Sequence, residues 1–196
     1  VAQATARLAP VKARMEAVAE RECRARTRRM NCDFYITVDK DPSSPPNAYQ
    51  TQSKSGRPTI TFTTALIADA KNADELAFVM GHEAAHHIQG HINRSQNDAV
   101  SGAVLVGVLA VAIGIEADDL EQAMEVGAVV GARAYSKDYE LEADRLGTII
   151  THLAGYDPLT GVQYFSRIPD PGNRFLGTHP PNRQRIALVE KTARGL

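Results

Sequence analysis

Two histidines and a glutamate stand in the pattern H-E-x-x-H, as His82, Glu83 and His86, within a segment of helical periodicity. Residues four apart on a helix share one face, so both imidazole rings can reach a single metal ion. Glu83 lies about 100° around the helix from His82, close enough to reach a water on that ion but poorly placed to ligate it. Two histidine ligands with a glutamate as general base are typical of zinc-dependent hydrolysis.

The nearest further histidines do not fit as a third ligand. In the long zinc-peptidase signature, a glycine comes three positions after the second histidine and a third histidine comes six positions after it. Here Gly90 follows His86 by four positions and His91 follows it by five. A continuous helix would turn His91 roughly to the side opposite His82. We therefore interpret His87 and His91 as structural or surface residues.

A second acidic pair offers the missing ligand. Glu140 and Asp144 are four residues apart in a helical segment and share one face. Glu140 can supply an oxygen ligand, and Asp144 can accept a hydrogen bond from the distal N–H of a zinc-bound histidine. Without the H-E-x-x-H motif, an acidic solvated helix face would be the preferred explanation. With it, the sequence predicts one Zn²⁺ per chain, held by His82, His86 and Glu140.

The first third of the chain predicts a small sheet behind an N-terminal helix. Apolar residues recur at helical spacing in the N-terminal segment. The β-rich segments 34–38, 47–52 and 58–63 then predict a small antiparallel sheet. Pro58 and the threonine-rich alternate face favour an edge position for the third strand.

The rest of the chain has helical patterns. Asn72 and Glu75 resemble a capping box that opens the helix of the histidine motif. Further on, the apolar segment 102–115 falls short of the roughly 20 residues that span a bilayer. We therefore interpret 96–134 as a buried helical hairpin. The alternative is that residues 102–134 make a peripheral membrane contact or a self-association surface.

Composition indicates one globular domain of mainly helical α+β class. The 196 residues carry 22 Lys and Arg against 23 Asp and Glu, for a formal net charge of −1, which disfavours a nucleic-acid binder. The predicted parts of the single domain 1–196 are an N-terminal helix (1–31), the small sheet (32–63), the active-site helix (72–94), the apolar hairpin (96–134), and the third-ligand and C-terminal helices (135–196).

The two cysteines, Cys23 and Cys32, lie neither in a C-x-x-C pair nor beside a histidine. This argues against a thiol-ligated metal or a dithiol redox site. Their spacing leaves two readings open: two independent thiols, or one disulfide that pins the end of the N-terminal helix. The sequence begins at Val1, without Met or a signal-peptide pattern, so we expect a trimmed or mature form.

From about Cys32 onward, the sequence resembles the HtpX-type and CAAX-prenyl-protease-type zinc metallopeptidases, which are gluzincins. The resemblance implies a zincin-like fold with H-E-x-x-H on a central helix. Without convincing membrane spans, the chain looks like the soluble exported bacterial members. The similar segments are, in order, Asp39 with Asn47-Ala48-Tyr49, the run 75–87, Glu140-x-Glu142-Ala143-Asp144, and Thr178-His179-Pro180-Pro181 followed by Arg185-Ile186.

The resemblance also implies roles for residues outside the ligand set. It places His179 across the cleft as a donor to the tetrahedral oxyanion, with Arg185 supporting that loop. Alternatives for His179 are a loop residue stacked on Pro180, or a gate that occupies zinc in the resting state. An extended substrate would add to the predicted sheet edge by strand addition. The residues expected to bind it are Asn47, Ala48, Thr59, Ile60 and Thr61.

The activity implied is a zinc-dependent endopeptidase that acts on unfolded or misassembled proteins in the bacterial cell envelope. The exported relatives commonly carry two N-terminal cysteines, so the resemblance favours a Cys23–Cys32 disulfide. We expect protein or peptide substrates, no nucleic-acid partner, and a periplasmic or cell-envelope location with the signal or lipoprotein leader absent from this sequence. The alternative is a zinc-containing, chaperone-like binding protein with little proteolysis.

Overall fold

The computed structural model describes residues 1–134, 136–170 and 180–196, apart from the side chains of residues 117, 118, 133 and 134. It confirms the mainly helical α+β class with one small sheet. The helices are α1 (Ala2–Arg26), α2 (Thr64–Asp69), α3 (Ala73–Ile88), α4 (His91–Ala112), α5 (Ala117–Ala134), α6 (Ser136–Leu153), α7 (Pro158–Gly161) and α8 (Asn182–Ala193), with a 3-10 helix at Val162–Ser166. The strands are β1 (Tyr35–Val38), β2 (Ala48–Gln52) and β3 (Pro58–Phe62).

The sheet is mixed, so the expected antiparallel sheet is only half right. Its strand order is β1-β3-β2, with β2 antiparallel and β1 parallel to β3. A tight turn pairs β2 with one edge of β3, which leaves the other edge for β1. The edge position expected for β3 is therefore wrong. Pro58 is tolerated in this central strand because it is the first residue, and Ile60 and Phe62 are fully buried.

Helix α3 carries the histidine motif through the core. The Asn72 carboxamide oxygen accepts the Glu75 backbone N–H at 2.9 Å, as the capping pattern predicts. The Glu75 carboxylate accepts the Lys71 N–H and pairs with Arg167. At its other end the helix stops sooner than the predicted 72–94. Gly90 adopts φ 67°, in the left-handed region that glycine favours, and α4 begins immediately after it.

Helix α6 lies against α3 at very short range. A Cβ added at Gly147 would come within 2.8 Å of the His82 backbone nitrogen, and one at Gly81 within 2.8 Å of the Gly147 oxygen. Glu140 and Asp144 precede Gly147 on the same face of α6, by two turns and one turn respectively. The close approach therefore brings both carboxylates up to the histidines of α3.

Substituting Gly147 by Ala is expected to push α6 away from α3, because the added methyl meets backbone that cannot rotate aside. Overpacking of this kind typically costs about 1–3 kcal/mol, which thermal unfolding would show as a lower Tm. Zinc retention should fall as well, since Glu140 moves with the helix. In the control Gly195→Ala, the nearest contact is 3.4 Å from the new Cβ, and Tm should hardly change. Wild-type Tm and zinc content in Gly147→Ala would show that the contact is not needed.

Helix α1 covers α3 and is tied to the start of the sheet. Its buried stripe includes Leu8, Val11 and Met15. Near its end, Cys23 and Cys32 are placed at disulfide-bonding distance, with their Cα atoms 5.7 Å apart. The pairing expected from the resemblance is thus the one that the geometry accommodates.

Helices α4 and α5 form the predicted hairpin, but it is not buried. They pack against each other along Gly102, Gly127 and Gly131. Helix α4 spans 22 residues and is long and apolar enough to cross a membrane by length and composition. The apolar segment 102–115, considered alone, gave too short a length for this helix. Only 11% of its apolar window is buried. The exposed apolar residues are Val100, Val104, Leu105, Val108, Leu109, Val111 and Ile113 on α4, and Val126, Val129 and Val130 on α5.

Candidate active site

The predicted ligand set comes together where α3 faces α6. His82 Nε2 and His86 Nε2 lie 3.0 Å apart. The Glu140 carboxylate lies 3.5 Å from the first nitrogen and 3.3 Å from the second. All three ligand atoms fall within 4.8 Å of one another, so one ion can contact them together. The arrangement fits a three-ligand catalytic zinc site with a fourth position for water or substrate.

The electrostatics of this cluster favour a cation. Burial alone would lower the pKa of His82, but the neighbouring Asp144 and Glu140 carboxylates raise it to about 10. The two carboxylates thus stabilise positive charge at this position. A Zn²⁺ between the same groups would supply this positive charge, which supports the fit of the donor set.

His82 is oriented by Asp144. Its Nδ1–H donates to the Asp144 carboxylate at 2.9 Å, which leaves Nε2 facing the ligand cluster. Asp144 is fully buried. Burial works to raise the pKa of this carboxyl, but Arg185 and His82 lower it below the ordinary value. Asp144 is therefore ionised and able to hold the imidazole in one tautomer.

Arg185 holds Asp144 in turn. Its Nε and Nη2 donate to the two carboxylate oxygens, both at 2.7 Å, a two-point contact that fixes the carboxylate plane. The guanidinium also lies 3.8 Å from the centre of the Phe165 ring. The resemblance assigned Arg185 to supporting the loop of His179. The structure joins it to Asp144, and support of the His179 loop stays a prediction because 171–179 lies outside the described residues.

Converting Asp144 to Asn is expected to weaken zinc binding by roughly 10–100-fold, the usual effect of losing an outer partner of a ligating histidine. The amide can present its N–H₂ to His82 and loses charge against Arg185. Competition with a chelator would measure the change. Asp33→Asn, on the surface beside Arg57, serves as control. Equal zinc affinities in Asp144→Asn and the wild type would remove this role.

Glu83 faces the same site but is not one of the three residues whose ligand atoms converge. It lines the cavity beside both histidines, one residue after His82 on α3. Burial raises the pKa of its carboxyl, while the positive charge of His82 and His86 opposes the rise. A carboxylate with an elevated pKa is better matched to taking up and returning a proton near neutral pH.

A cavity of about 720 Å³ lies in front of the cluster. Asn47 and Ala48, both predicted to bind substrate, lie in its wall with Tyr49 and Gln50. The other predicted substrate residues, Thr59, Ile60 and Thr61, belong to the central strand and are absent from the described lining. The sheet edge at the cavity is therefore β2, and its free backbone groups are the ones available to an extended chain.

Of the further histidines, His87 is structural. Its two ring nitrogens contact Gln52 and the Asn31 carbonyl, away from the ligand cluster. His179 lies outside the described residues, so its role as oxyanion donor or gate stays a prediction.

The orientation expected for His91, on the side of the helix opposite His82, is wrong, although His91 lies outside the converging ligand set as expected. It is only 4% exposed, and its Nδ1 lies 2.8 Å from Nδ1 of His86, one of the three candidate ligands. Burial and the neighbouring His86 lower its pKa to about 4, so the ring is neutral. A continuous helix would give the expected orientation, but α3 ends at Ile88 and α4 begins at His91. The signal in the sequence was Gly90 itself, because glycine favours the left-handed conformation that ends a helix.

Comparisons with known proteins agree with this geometry. The sequence pattern of peptidase family M48 matches residues 6–193. A putative beta-barrel assembly-enhancing protease of Vibrio cholerae is 31% identical over 69% of this chain, and the Escherichia coli K12 beta-barrel assembly-enhancing protease is 30% identical over 68%. The mitochondrial metalloendopeptidase OMA1 of Arabidopsis thaliana is 29% identical over 66%.

The match covers 31%, 30% and 27% of those three relatives, so this chain spans about a third of their length. None of the three is an HtpX-type or CAAX-prenyl-protease-type peptidase. The comparisons thus support the wider family and not that narrower likeness. Since the family pattern covers almost the whole sequence and the metal-ligand geometry accords with it, this chain belongs to peptidase family M48.

Proposed function

We propose that this chain is a zinc-dependent endopeptidase. The observation that carries the proposal is the convergence of His82 Nε2, His86 Nε2 and the Glu140 carboxylate in the wall of a cavity. Glu83 stands on the wall of the same cavity, where it can act on a water near the ligands. Two neutral nitrogens and one carboxylate form the donor set of hydrolytic zinc, with one Zn²⁺ per chain.

When bound, zinc polarises the scissile carbonyl and makes a nearby water more acidic. The chain's own residues then divide the work. The Glu83 carboxylate takes the proton of the attacking water and returns it to the leaving amine nitrogen. Asp144 and Arg185 keep His82 in the tautomer that presents Nε2. His179 is proposed to donate to the oxyanion, as the resemblance implies, a contact that is typically worth about 2.7–4 kcal/mol.

The substrate proposed is an extended segment of an unfolded or misassembled protein. Backbone hydrogen bonds to the free edge of β2 would recognise any extended chain, while a folded protein presents few such segments. Asn47 and Ala48 stand at the start of that edge beside the cavity. Two relatives are named for assisting beta-barrel assembly, which supports a role in cell-envelope quality control.

Cleavage of casein, an unfolded protein, tests the proposal. The zinc-loaded chain should fragment casein, a chelator should stop the reaction, and added Zn²⁺ should restore it. A tightly folded globular protein of similar size should remain intact under the same conditions. Casein cleavage that continues after complete metal removal would contradict the proposal, as would a loaded chain that cleaves nothing.

A periplasmic or envelope location is proposed together with an oxidised Cys23–Cys32 pair, since disulfides persist in oxidising compartments. In protein recovered from its native compartment, both cysteines should resist alkylation until reductant is added. Mass spectrometry of the alkylated peptides would measure this. Two freely labelled thiols would count against both the disulfide and the exported location.

The exposed apolar hairpin is proposed as a contact surface, either for a membrane or for a second copy of the chain. Exposed apolar side chains are concentrated on its two helices, and such a concentration is typical of an interaction surface. Flotation with lipid vesicles tests the first partner, and sizing in solution tests the second. A monomer that neither floats nor associates would show the proposal to be wrong.

A further inference from the structure

The two ligand histidines have different partners behind them. His82 donates directly to a carboxylate, that of Asp144. His86 instead faces another imidazole, with 2.8 Å between its Nδ1 and Nδ1 of His91. Nothing in the sequence pattern of the ligands required a histidine at this position.

Hydrogen-bond directions admit one arrangement of protons. A histidine that ligates through Nε2 keeps its proton on Nδ1, so His86 must donate toward His91. His91 must then accept on Nδ1 and carry its proton on Nε2. That second nitrogen lies 3.1 Å from the Glu142 carboxylate, which accepts the bond.

The last member of this series of hydrogen bonds, Glu142, is held by an ion pair. Arg94 donates to both oxygens of Glu142, at 2.5 and 3.2 Å. The His91 ring is also stacked on Tyr139, with centroids 4.8 Å apart and planes inclined by 15°. The Tyr139 hydroxyl donates to Asp98 on α4. Residues from α4 and α6 therefore fix His91 from several sides.

We propose that His91 is a positioning residue for the metal: it holds the His86 ring in the orientation and tautomer that present Nε2, with Glu142 and Arg94 holding His91. This inference rests on the proposed zinc site. His91 is not itself a ligand, because Nδ1 faces His86 and Nε2 faces Glu142. Its loss should lower zinc affinity by roughly 10–100-fold without changing the limiting stoichiometry.

Three substitutions separate positioning from packing. In His91→Phe the ring still stacks on Tyr139 but accepts no hydrogen bond. In His91→Asn the side-chain oxygen can replace Nδ1 as the acceptor for His86. His87→Phe makes the same change at an adjacent buried histidine that contacts no ligand.

Chelator competition for Zn²⁺ and the Tm of the metal-free protein are the two measurements. We expect roughly 10–100-fold weaker zinc binding in His91→Phe, most of that loss recovered in His91→Asn, and wild-type affinity in His87→Phe even if its Tm falls. Wild-type affinity in His91→Phe overturns the inference. Equal affinity losses in the Phe and Asn variants, in step with lowered Tm, overturn it as well, because a packing role would give that result.

If His91→Phe does not fold, Glu142→Gln tests the positioning role instead. This change weakens the contacts of residue 142 with His91 and Arg94 and leaves both histidines in place. Weaker zinc binding with unchanged metal-free Tm supports the inference, and unchanged binding overturns it. The proposed peptidase activity is tested by separate outcomes. A wild type that binds zinc in this pattern but cleaves no casein refutes the activity, whereas active wild type with wild-type affinity in His91→Phe refutes only the role of His91.

Discussion

Glu83→Gln is expected to keep its zinc and its fold and to lose nearly all turnover, with kcat lower by about 10²–10⁴-fold. The amide has almost the shape of the carboxylate but cannot take a proton from water. Burial already raises the pKa of this carboxyl, so a neutral side chain should be no less stable there. Casein cleavage, zinc content and Tm would be compared with those of the wild type.

This variant also separates the peptidase from the chaperone-like alternative. A binding protein that keeps the zinc fold without proteolysis would hold unfolded chains equally well with Gln at this position. Turnover at the wild-type level in zinc-loaded Glu83→Gln would remove the hydrolytic mechanism proposed for the chain. Loss of zinc in the same variant would show that Glu83 belongs to the ligands instead.

Glu140→Gln is expected to abolish stoichiometric zinc binding, and cleavage with it. The carboxylate faces both ligand nitrogens, and an uncharged amide is a much weaker ligand for Zn²⁺. The loss of affinity should exceed the roughly 10–100-fold expected when only an outer partner is removed. Metal analysis after gel filtration would measure the content, with Glu83→Gln as the matched control that keeps its ion.

Full zinc occupancy in Glu140→Gln would show that the third ligand has been chosen wrongly. In that case Glu142, which is two residues away on α6, would still be excluded by its contacts with His91 and Arg94. The ligand would have to come from outside the described cluster.

The ligand set could be predicted because helix geometry is local. His82 and His86 share a face of any α-helix, and so do Glu140 and Asp144, whatever the rest of the chain does. That these two pairs meet was inferred from their ligand chemistry, because spacing within each helix does not place one helix against the other. The physical cause of their meeting, the close approach at Gly147, depends on tertiary packing that the pattern of apolar residues does not encode.

Other features depended on single dihedral angles or long-range pairing. His91 reaches His86 because the left-handed residue Gly90 interrupts the helix, so helical periodicity does not predict the position of His91. The strand order depends on β1 pairing with the edge of β3 that β2 leaves free. The alternation of apolar and polar residues within one strand does not reveal this pairing. Composition likewise identified the apolar hairpin at 96–134 but not that its outer faces lie exposed.

The central claim is that zinc is held by His82, His86 and Glu140, and X-ray anomalous scattering at the zinc edge tests it most directly. A crystal of the zinc-loaded chain should show one strong peak, with His82 Nε2, His86 Nε2 and a Glu140 carboxylate oxygen each about 2.0–2.2 Å away. A peak bound by other residues, or no peak between these three in protein that cleaves casein, would contradict the account.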